Sequence, residues 1–138
     1  MIILDTNVVS EFMRERPDAA VMRWVKARTR SSLYTTAITQ AEILLGLELL
    51  PRGRRREALL VDAHAIFEGD FGSRILSFGS EAASHFARIV VERRRSGRPL
   101  TGADAQIAAI AAAHGAGVAT RNVTDFTDCG FAVHDPWA

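Results

Sequence analysis

Short apolar runs alternate with longer segments of helical periodicity along the chain, and this alternation is the feature that most restricts the fold. The apolar runs are short enough, and rich enough in β-branched residues, to be buried strands. The predicted strands are Ile2–Leu4, Leu33–Ala37, Ile75–Phe78, Val118–Thr120 and Ala132–His134. Strands separated by helices predict an α/β domain with a parallel sheet and helices on both faces.

The segments between the strands predict the helices. The first runs from about Asn7 to Arg14, and Pro17-Asp18 opens the second. Thr39 caps a third, which runs to about Leu50 and is stopped by Pro51. The others cover Arg54 to Phe67, a helix around Ala82 to Val90 that Ser96-Gly97 ends, and Gly102 to Ala113. In the second helix an apolar stripe around Trp24 faces either the core or a partner, and the core is favoured. No linker or repeat interrupts the 138 residues, so we expect a single domain over residues 1–138.

Composition excludes several classes of protein. Hydrophobic residues make up 48% and charged residues 24% of the chain, which is typical of a globular domain. Cys129 is the only cysteine, so neither an internal disulfide nor a cysteine-based zinc site is expected. No apolar run approaches the roughly 18 residues of a membrane helix. The start, Met1-Ile2-Ile3-Leu4-Asp5, has no basic leader, and we expect a cytoplasmic protein with no membrane contact.

Four carboxylates occupy similar places relative to the predicted elements. Asp5 follows the first strand, Glu42 lies early in the helix after the second strand, Asp104 lies in the first turn of the alanine-rich helix, and Asp125 follows the Val118–Thr120 strand. Ligands of open parallel sheets bind beyond the carboxyl ends of the strands. If the four acids converge there, their repulsion favours a divalent cation with hard oxygen ligands, such as Mg²⁺ or Mn²⁺.

Each acid also has a purely structural interpretation. Thr39 and Glu42 match a capping box, and Thr101 and Asp104 match a weaker one. Asp5 fits the N-cap of the first helix, and Asp125 fits an Asx turn. Periodicity alone leaves the structural and catalytic interpretations open.

Basic residues are concentrated in two places, although the net charge is only +1. Clusters of this kind either follow a phosphate backbone or form solvated helix faces, and sequence leaves both possibilities open. The clusters are Arg52, Arg54, Arg55 and Arg56, and Arg93, Arg94, Arg95 and Arg98.

Local motifs, taken together, resemble the PIN-domain family, and within it the VapC-type toxins of bacterial toxin–antitoxin pairs, with FitB-like members most similar. The resemblance covers essentially the whole chain and rests on five segments in order. These are Ile3-Leu4-Asp5-Thr6-Asn7, the stretch from Ala37 to Gly46, the stretch from Ala103 to Ala109, the stretch from Thr120 to Phe126, and Asp135-Pro136-Trp137.

The resemblance implies a three-layer α/β/α sandwich around a mainly parallel sheet, and Mg²⁺- or Mn²⁺-dependent cleavage of RNA, with tRNA and rRNA as common targets. Asp5, Glu42 and Asp104 match the family's core acids and would act as metal ligands and catalytic groups. The fourth acid of the family falls either at Asn122 or at Asp125 of this chain, and we assign it to Asp125.

The resemblance also supplies supporting residues and partners. Thr6 and Thr120 match polar positions that support the site through hydrogen bonds, while Asn122 offers a neutral oxygen ligand. Arg121 is a candidate for contact with substrate phosphate. A homodimer and a small VapB-like antitoxin, which places a basic side chain among the acids, are implied as well. Trp24 and Trp137 are candidate contact residues.

The expected mechanism is hydrolysis of an RNA phosphodiester by water activated at the metal. Two other classes remain as alternatives. One is a catalytically silent binding module that keeps the same fold. The other is a phospho-accepting receiver-like domain, which is disfavoured because such a domain needs a late lysine and Lys26 is the only lysine here. The phosphate-binding and serine-nucleophile motifs of other enzyme classes are missing.

Overall fold

Five parallel strands form the centre of the molecule in a computed structural model that describes residues 1–138. The sheet order is β3-β2-β1-β4-β5, so β1 lies in the middle. Ile2 pairs with Leu33 on one side and with Gly117 on the other. The strands are β1 (Ile2–Leu4), β2 (Leu33–Thr36), β3 (Ile75–Leu76), β4 (Gly117–Ala119) and β5 (Val133–His134). This confirms the predicted α/β class and the parallel sheet.

Seven α-helices flank the sheet. They are α1 (Thr6–Glu11), α2 (Ala19–Lys26), α3 (Ala37–Glu48), α4 (Arg54–His64), α5 (Ser80–Arg95), α6 (Gly102–His114) and α7 (Val123–Phe126). A 3₁₀ turn at Arg30–Ser32 precedes β2, and a π-helical segment at Ala65–Phe71 prolongs α4. The helix predicted to end at Phe67 therefore continues to Phe71, whose ring is buried.

Successive residues of β1 face opposite sides of the sheet and belong to different cores. Ile3 packs in a buried cluster with Ile107 and Phe126, whereas Leu4 packs in a second cluster with Val9 and Phe67. Alternation of this kind follows from the two-residue period of a strand. Helices therefore cover both faces of the sheet, and the predicted α/β/α sandwich is confirmed.

Helix caps agree with the sequence at three places and differ at one. Side chains of Asp5, Asp18 and Thr101 cap α1, α2 and α6 as expected. The prediction that Thr39 caps the third helix was wrong. Thr36 is the cap, and its hydroxyl accepts a hydrogen bond from the Thr39 amide at 3.1 Å. Thr36 fits this position because it is the last residue of β2 and still has an extended backbone.

Both tryptophans pack partly buried against the cluster that contains Leu4. Arg28 stacks on Trp24 with its guanidinium carbon 3.5 Å from the ring centroid. Trp24 therefore lies at the edge of the core, where Arg28 covers one face of its ring. No helix has the length and apolar character needed to cross a membrane.

Candidate active site

The four candidate acids follow the carboxyl ends of β1, β2 and β4 or begin a helix beside them. Asp5 comes directly after β1, and Asp104 and Asp125 lie in the first turns of α6 and α7. Glu42 lies in the second turn of α3, one turn later than a cap at Thr39 predicts. Helix α6 packs beside β1 through Ile107 and Ala108, which brings Asp104 to the edge where Asp5 lies.

Asp5 is the most enclosed of these acids, with 4% of its surface exposed. One carboxylate oxygen accepts a hydrogen bond from the Thr6 amide at 2.8 Å, and the other accepts one from the Thr120 hydroxyl at 2.8 Å. Burial, with smaller contributions from the charges of Asp104 and Glu42, raises the pKa of Asp5 to about 6 despite these two bonds. Asp5 is therefore a helix cap and a perturbed carboxylate at the same time.

Glu42 is held by threonine hydroxyls rather than by a capping interaction. The Thr6 hydroxyl donates to Glu42 Oε1 at 2.7 Å, and the Thr39 hydroxyl lies 3.1 Å from that of Thr6. Because Thr6 gives its single proton to Glu42, Thr39 is the donor in the second bond. The capping-box interpretation of Glu42 was wrong, since its carboxylate turns toward α1 and its own helix is capped by Thr36.

Electrostatic coupling joins the four carboxylates into one group. Burial raises the pKa of Asp104 above its ordinary value, and the negative charges of Asp125 and Glu42 add to that rise. The negative charges of Asp104 and Glu42 in turn raise the pKa of Asp5. Asp125 joins the group through Asp104, which places it at the margin of the site.

The group carries negative charge that no basic side chain compensates. All ion pairs of the molecule involve other acids, namely Glu11, Glu48, Glu57, Glu68, Asp70 and Asp128. A cation with hard oxygen ligands fits this donor set and this charge. As they stand, however, no three acidic, histidine or cysteine side chains converge into a complete metal-binding group. The oxygen donors and the negative charge fit a divalent cation, but the carboxylates would have to move closer together to coordinate one.

The residues around Thr120 form a hydrogen-bonded support beneath Asp5. The Thr120 hydroxyl accepts from the Asn122 amide at 3.0 Å and from the Asn7 side chain at 3.5 Å. Asn7 Oδ1 accepts from the Arg121 amide at 3.3 Å, so Asn7 links α1 to the segment after β4. Asn7 and Thr39 were not selected from the sequence, although both lie within the motifs that carry the family resemblance.

Two further predicted residues lie at the rim of the site. Asn122 precedes α7 and is exposed, and its backbone carbonyl accepts from the Asp125 amide at 3.0 Å. Arg121 is exposed, and its guanidinium carbon lies 5.2 Å from the centroid of the Trp137 ring. That stacking orients Arg121 along the C-terminal segment.

Comparison with known proteins decides the family. The family model described as the PIN domain matches residues 2–130. The chain belongs to the PIN-domain family. This confirms the resemblance seen in the five sequence motifs, and the carboxylates described above lie within the matched residues of the PIN domain.

Relatives of this PIN domain match along nearly its whole length. It is 38% identical over 137 residues to the "VapC ribonuclease Y4jK" of Sinorhizobium fredii, covering 99% of this chain and 98% of that protein. It is 36% identical over 137 residues to the "Toxin FitB" of Neisseria gonorrhoeae, covering 99% of both. In the solved structure of FitAB bound to an IR36 DNA fragment, one chain superposes with a TM-score of 0.93 at 36% identity, covering 100% of this chain and 96% of that one.

Proposed function

We propose that this PIN domain is a metal-dependent endoribonuclease and the toxin of a type II toxin–antitoxin pair. The observation that carries the proposal is the uncompensated carboxylate group formed by Asp5, Glu42 and Asp104, with Asp125 at its margin. Relatives named as a VapC ribonuclease and as a FitB toxin support the same function. The family resemblance makes tRNA or rRNA the first substrates to test.

Asp5 and Asp104 are the residues we expect to hold Mg²⁺ or Mn²⁺, with Glu42 and Asp125 completing the set of oxygen donors. A bound divalent cation neutralises such carboxylates, polarises a phosphate and lowers the pKa of a nearby water. The pKa of Asp5, about 6, lies below neutral pH, so Asp5 is ionised there and can bind a cation.

The protein's own residues fix the positions of Asp5 and Glu42 before substrate arrives. Thr120 and the Thr6 amide hold both oxygens of Asp5, while the Thr6 hydroxyl holds one oxygen of Glu42. The free oxygen of the more exposed Glu42 is available to orient the attacking water and to accept its proton. Attack by this water forms the new P–O bond while the bond to the ester oxygen breaks, and the departing oxygen takes up a proton from solvent.

A small VapB-like antitoxin could bind the same unpaired carboxylates through a basic side chain. An arginine inserted among unpaired carboxylates makes charge-assisted hydrogen bonds and competes with the metal for the same oxygens. The solved FitAB structure superposes on this chain over its full length, which supports a partner of this type. Homodimer formation stays a prediction from the family.

The experiment is a cleavage assay with purified, antitoxin-free protein. Total RNA and separate tRNA pools are incubated with Mg²⁺, with Mn²⁺ or with EDTA, and the Asp5→Asn variant is run alongside. Asp62→Asn serves as the matched control because Asp62 is an exposed acid of α4 that forms no ion pair. We expect cleavage that requires metal, disappears in Asp5→Asn and persists in Asp62→Asn.

Two other outcomes have definite meanings. Cleavage that persists in EDTA or in Asp5→Asn contradicts the assignment of the site. A folded, antitoxin-free protein that cleaves none of these RNAs with either metal contradicts the proposal and favours the silent binding module.

A further inference from the structure

Helices α3 and α4 form a hairpin whose direction follows from where each end is attached. Helix α3 begins directly after Thr36, at the carboxyl end of β2. The helical run that starts with α4 ends at Phe71, and the Arg74 side chain next to it donates to the carbonyls of Arg30 and Leu33 at the amino end of β2. The α4 run therefore leads from the hairpin tip to the amino edge of the sheet.

The length of this run, together with its direction, indicates how far the tip lies from the sheet. Ile43 and Leu47 of α3 share a buried cluster with Ala63 and Phe67, so the two helices pack side by side. The helical run over residues 54–71 spans roughly 25 Å, whereas the four residues of β2 span roughly 13 Å. For a run that lies parallel to β2, this difference in length puts the tip about 10 Å past the carboxyl edge of the sheet.

Four arginines occupy this tip and differ in their bonding. Arg56 is fixed by ion pairs to Glu48 and Glu57, and only 16% of its side chain is exposed. Arg52, Arg54 and Arg55 are exposed and have neither a carboxylate nor a hydrogen-bond partner for their side chains. Together they line a cavity of about 280 Å³ around Gly53, and the buried Nε of Arg56 has no hydrogen-bond partner.

The second basic segment of the chain is bonded more completely. Arg93 is buried, and its guanidinium donates to the carbonyls of Arg98 and Thr127. Arg98 forms an ion pair with Asp128. Arg94 and Arg95 are exposed and have no side-chain partner, so this segment offers two unpaired arginines, whereas the hairpin tip offers three.

We propose that Arg52, Arg54 and Arg55 form a second contact site for the RNA backbone, a few nucleotides from the phosphate that is cleaved. The proposal rests on the proposed ribonuclease function, because only a polyanion that reaches the carboxylates would also pass the tip. The guanidinium group of arginine can donate two parallel hydrogen bonds to phosphate oxygens. A cluster of unpaired arginines attracts the RNA backbone electrostatically, whereas the nearby carboxylates repel it. The site recognises phosphate and sets affinity for longer RNA; it adds no base specificity.

The test measures RNA binding without cleavage, so that it does not depend on catalysis. A fluorescein-labelled oligouridylate of about 20 nucleotides is titrated in EDTA, and its anisotropy gives the Kd at several salt concentrations. The variant is Arg54→Gln/Arg55→Gln. The matched control is Arg23→Gln/Lys26→Gln, which removes the same charge from exposed, unpaired side chains of α2.

Loss of two phosphate contacts lowers the slope of log Kd against log salt by about 1.4, because each contact to single-stranded RNA contributes about 0.7. Relative to equal affinities at about 1 M salt, this corresponds to a Kd roughly 25-fold higher for the variant at about 0.1 M salt. The control variant should bind like the unmodified protein. With metal present, cleavage of long RNA should weaken through KM, whereas cleavage of a short oligonucleotide that cannot reach the tip should not change.

Two results of the RNA titration would overturn the inference: equal Kd values for the tip variant and the control, or no RNA binding by the unmodified protein. Labelled polyglutamate is titrated in parallel, and a tip variant that loses affinity for polyglutamate but not for RNA would overturn it as well. The last result would assign the tip to an acidic protein surface. Failure of the ribonuclease proposal looks different, since the protein would then bind RNA through the tip and cleave none.

Discussion

The hydroxyl of Thr120 donates a hydrogen bond to Asp5 Oδ2 at 2.8 Å and thereby ties together the ends of two neighbouring strands, β4 and β1. The same hydroxyl accepts from the Asn122 amide, so its proton is directed at Asp5. Asp5 keeps this orientation because Thr6 holds its other oxygen. The position of the most buried acid therefore depends on a residue 115 positions away in the chain.

Replacing Thr120 by valine keeps the shape of the side chain and removes its hydrogen bond to Asp5. We expect Thr120→Val to raise the pKa of Asp5 further and to lower metal affinity and kcat/KM by roughly 10- to 100-fold, as for other residues that orient metal ligands. Thr120→Ser, which keeps the hydroxyl, should restore most of the activity. Cleavage rates measured across a Mn²⁺ titration check this, and full activity of the valine variant at low Mn²⁺ would contradict it.

The buried charge of Asp5 should cost stability in the metal-free protein. Its pKa rises from 3.8 to about 6 on folding, so the folded state holds the proton more tightly than the unfolded chain. The free energy of unfolding therefore falls as pH rises from about 4 to about 6, and the full cost is present above that range. The shift corresponds to roughly 3 kcal/mol.

Asp5→Asn removes this titration while keeping a side chain of the same size. We expect the variant to be roughly 2–3 kcal/mol more stable than the unmodified protein near pH 7.5 in EDTA, and equally stable near pH 4. Urea unfolding at both pH values measures the difference. Added Mg²⁺ or Mn²⁺ should reduce the gap, because only the unmodified protein gains binding energy from the metal. A variant less stable at pH 7.5 would disprove the electrostatic account.

Sequence periodicity was sufficient for the fold because the sheet is short and buried on both faces. The β-branched run at Ile2–Leu4 predicts a strand, and the structure assigns Ile3 and Leu4 to opposite cores. Element ends were predicted less well. Nothing in the sequence pattern distinguishes an α-helix from the π-helical segment that carries Phe71 into the core, since both bury the same apolar residues.

The site was only partly predictable for a related reason. Asp5 was placed by its position directly after a strand, which is a local property. Asp104 reaches the same edge only because α6 packs beside β1, which the sequence did not establish. Glu42 was open to a capping-box interpretation because its true partner, Thr6, lies 36 residues away and is brought near only by packing of α1 on α3. The supporting roles of Asn7 and Thr39 depend on the same long-range contacts.

Thr6 gives a direct test of how Glu42 is positioned. Its hydroxyl is the hydrogen-bond donor to Glu42, so Thr6→Val should leave Glu42 free to rotate and lower kcat by about 10-fold. The fold should persist, because Thr6 is only half-buried. If Glu42 accepts a proton in the reaction, the pH dependence of kcat should also change, which loss of packing alone would not cause. Thr6→Ser serves as the control, and an unchanged pH profile in Thr6→Val would argue against a proton-accepting role for Glu42.

Arg93 and Arg94 are neighbours in sequence but should differ sharply in their effect on stability. Arg93 is 5% exposed and satisfies the carbonyls of Arg98 and Thr127, whereas Arg94 is exposed and has no partner. Arg93→Met leaves the Arg98 carbonyl without a donor and the Thr127 carbonyl with only the weak thiol donor of Cys129, and it should cost about 2–4 kcal/mol of unfolding free energy. Arg94→Met should change it by less than about 0.5 kcal/mol. Urea titration compares the two, and equal stabilities would show that the hydrogen bonds of Arg93 do not hold the α5–α6 connection in place.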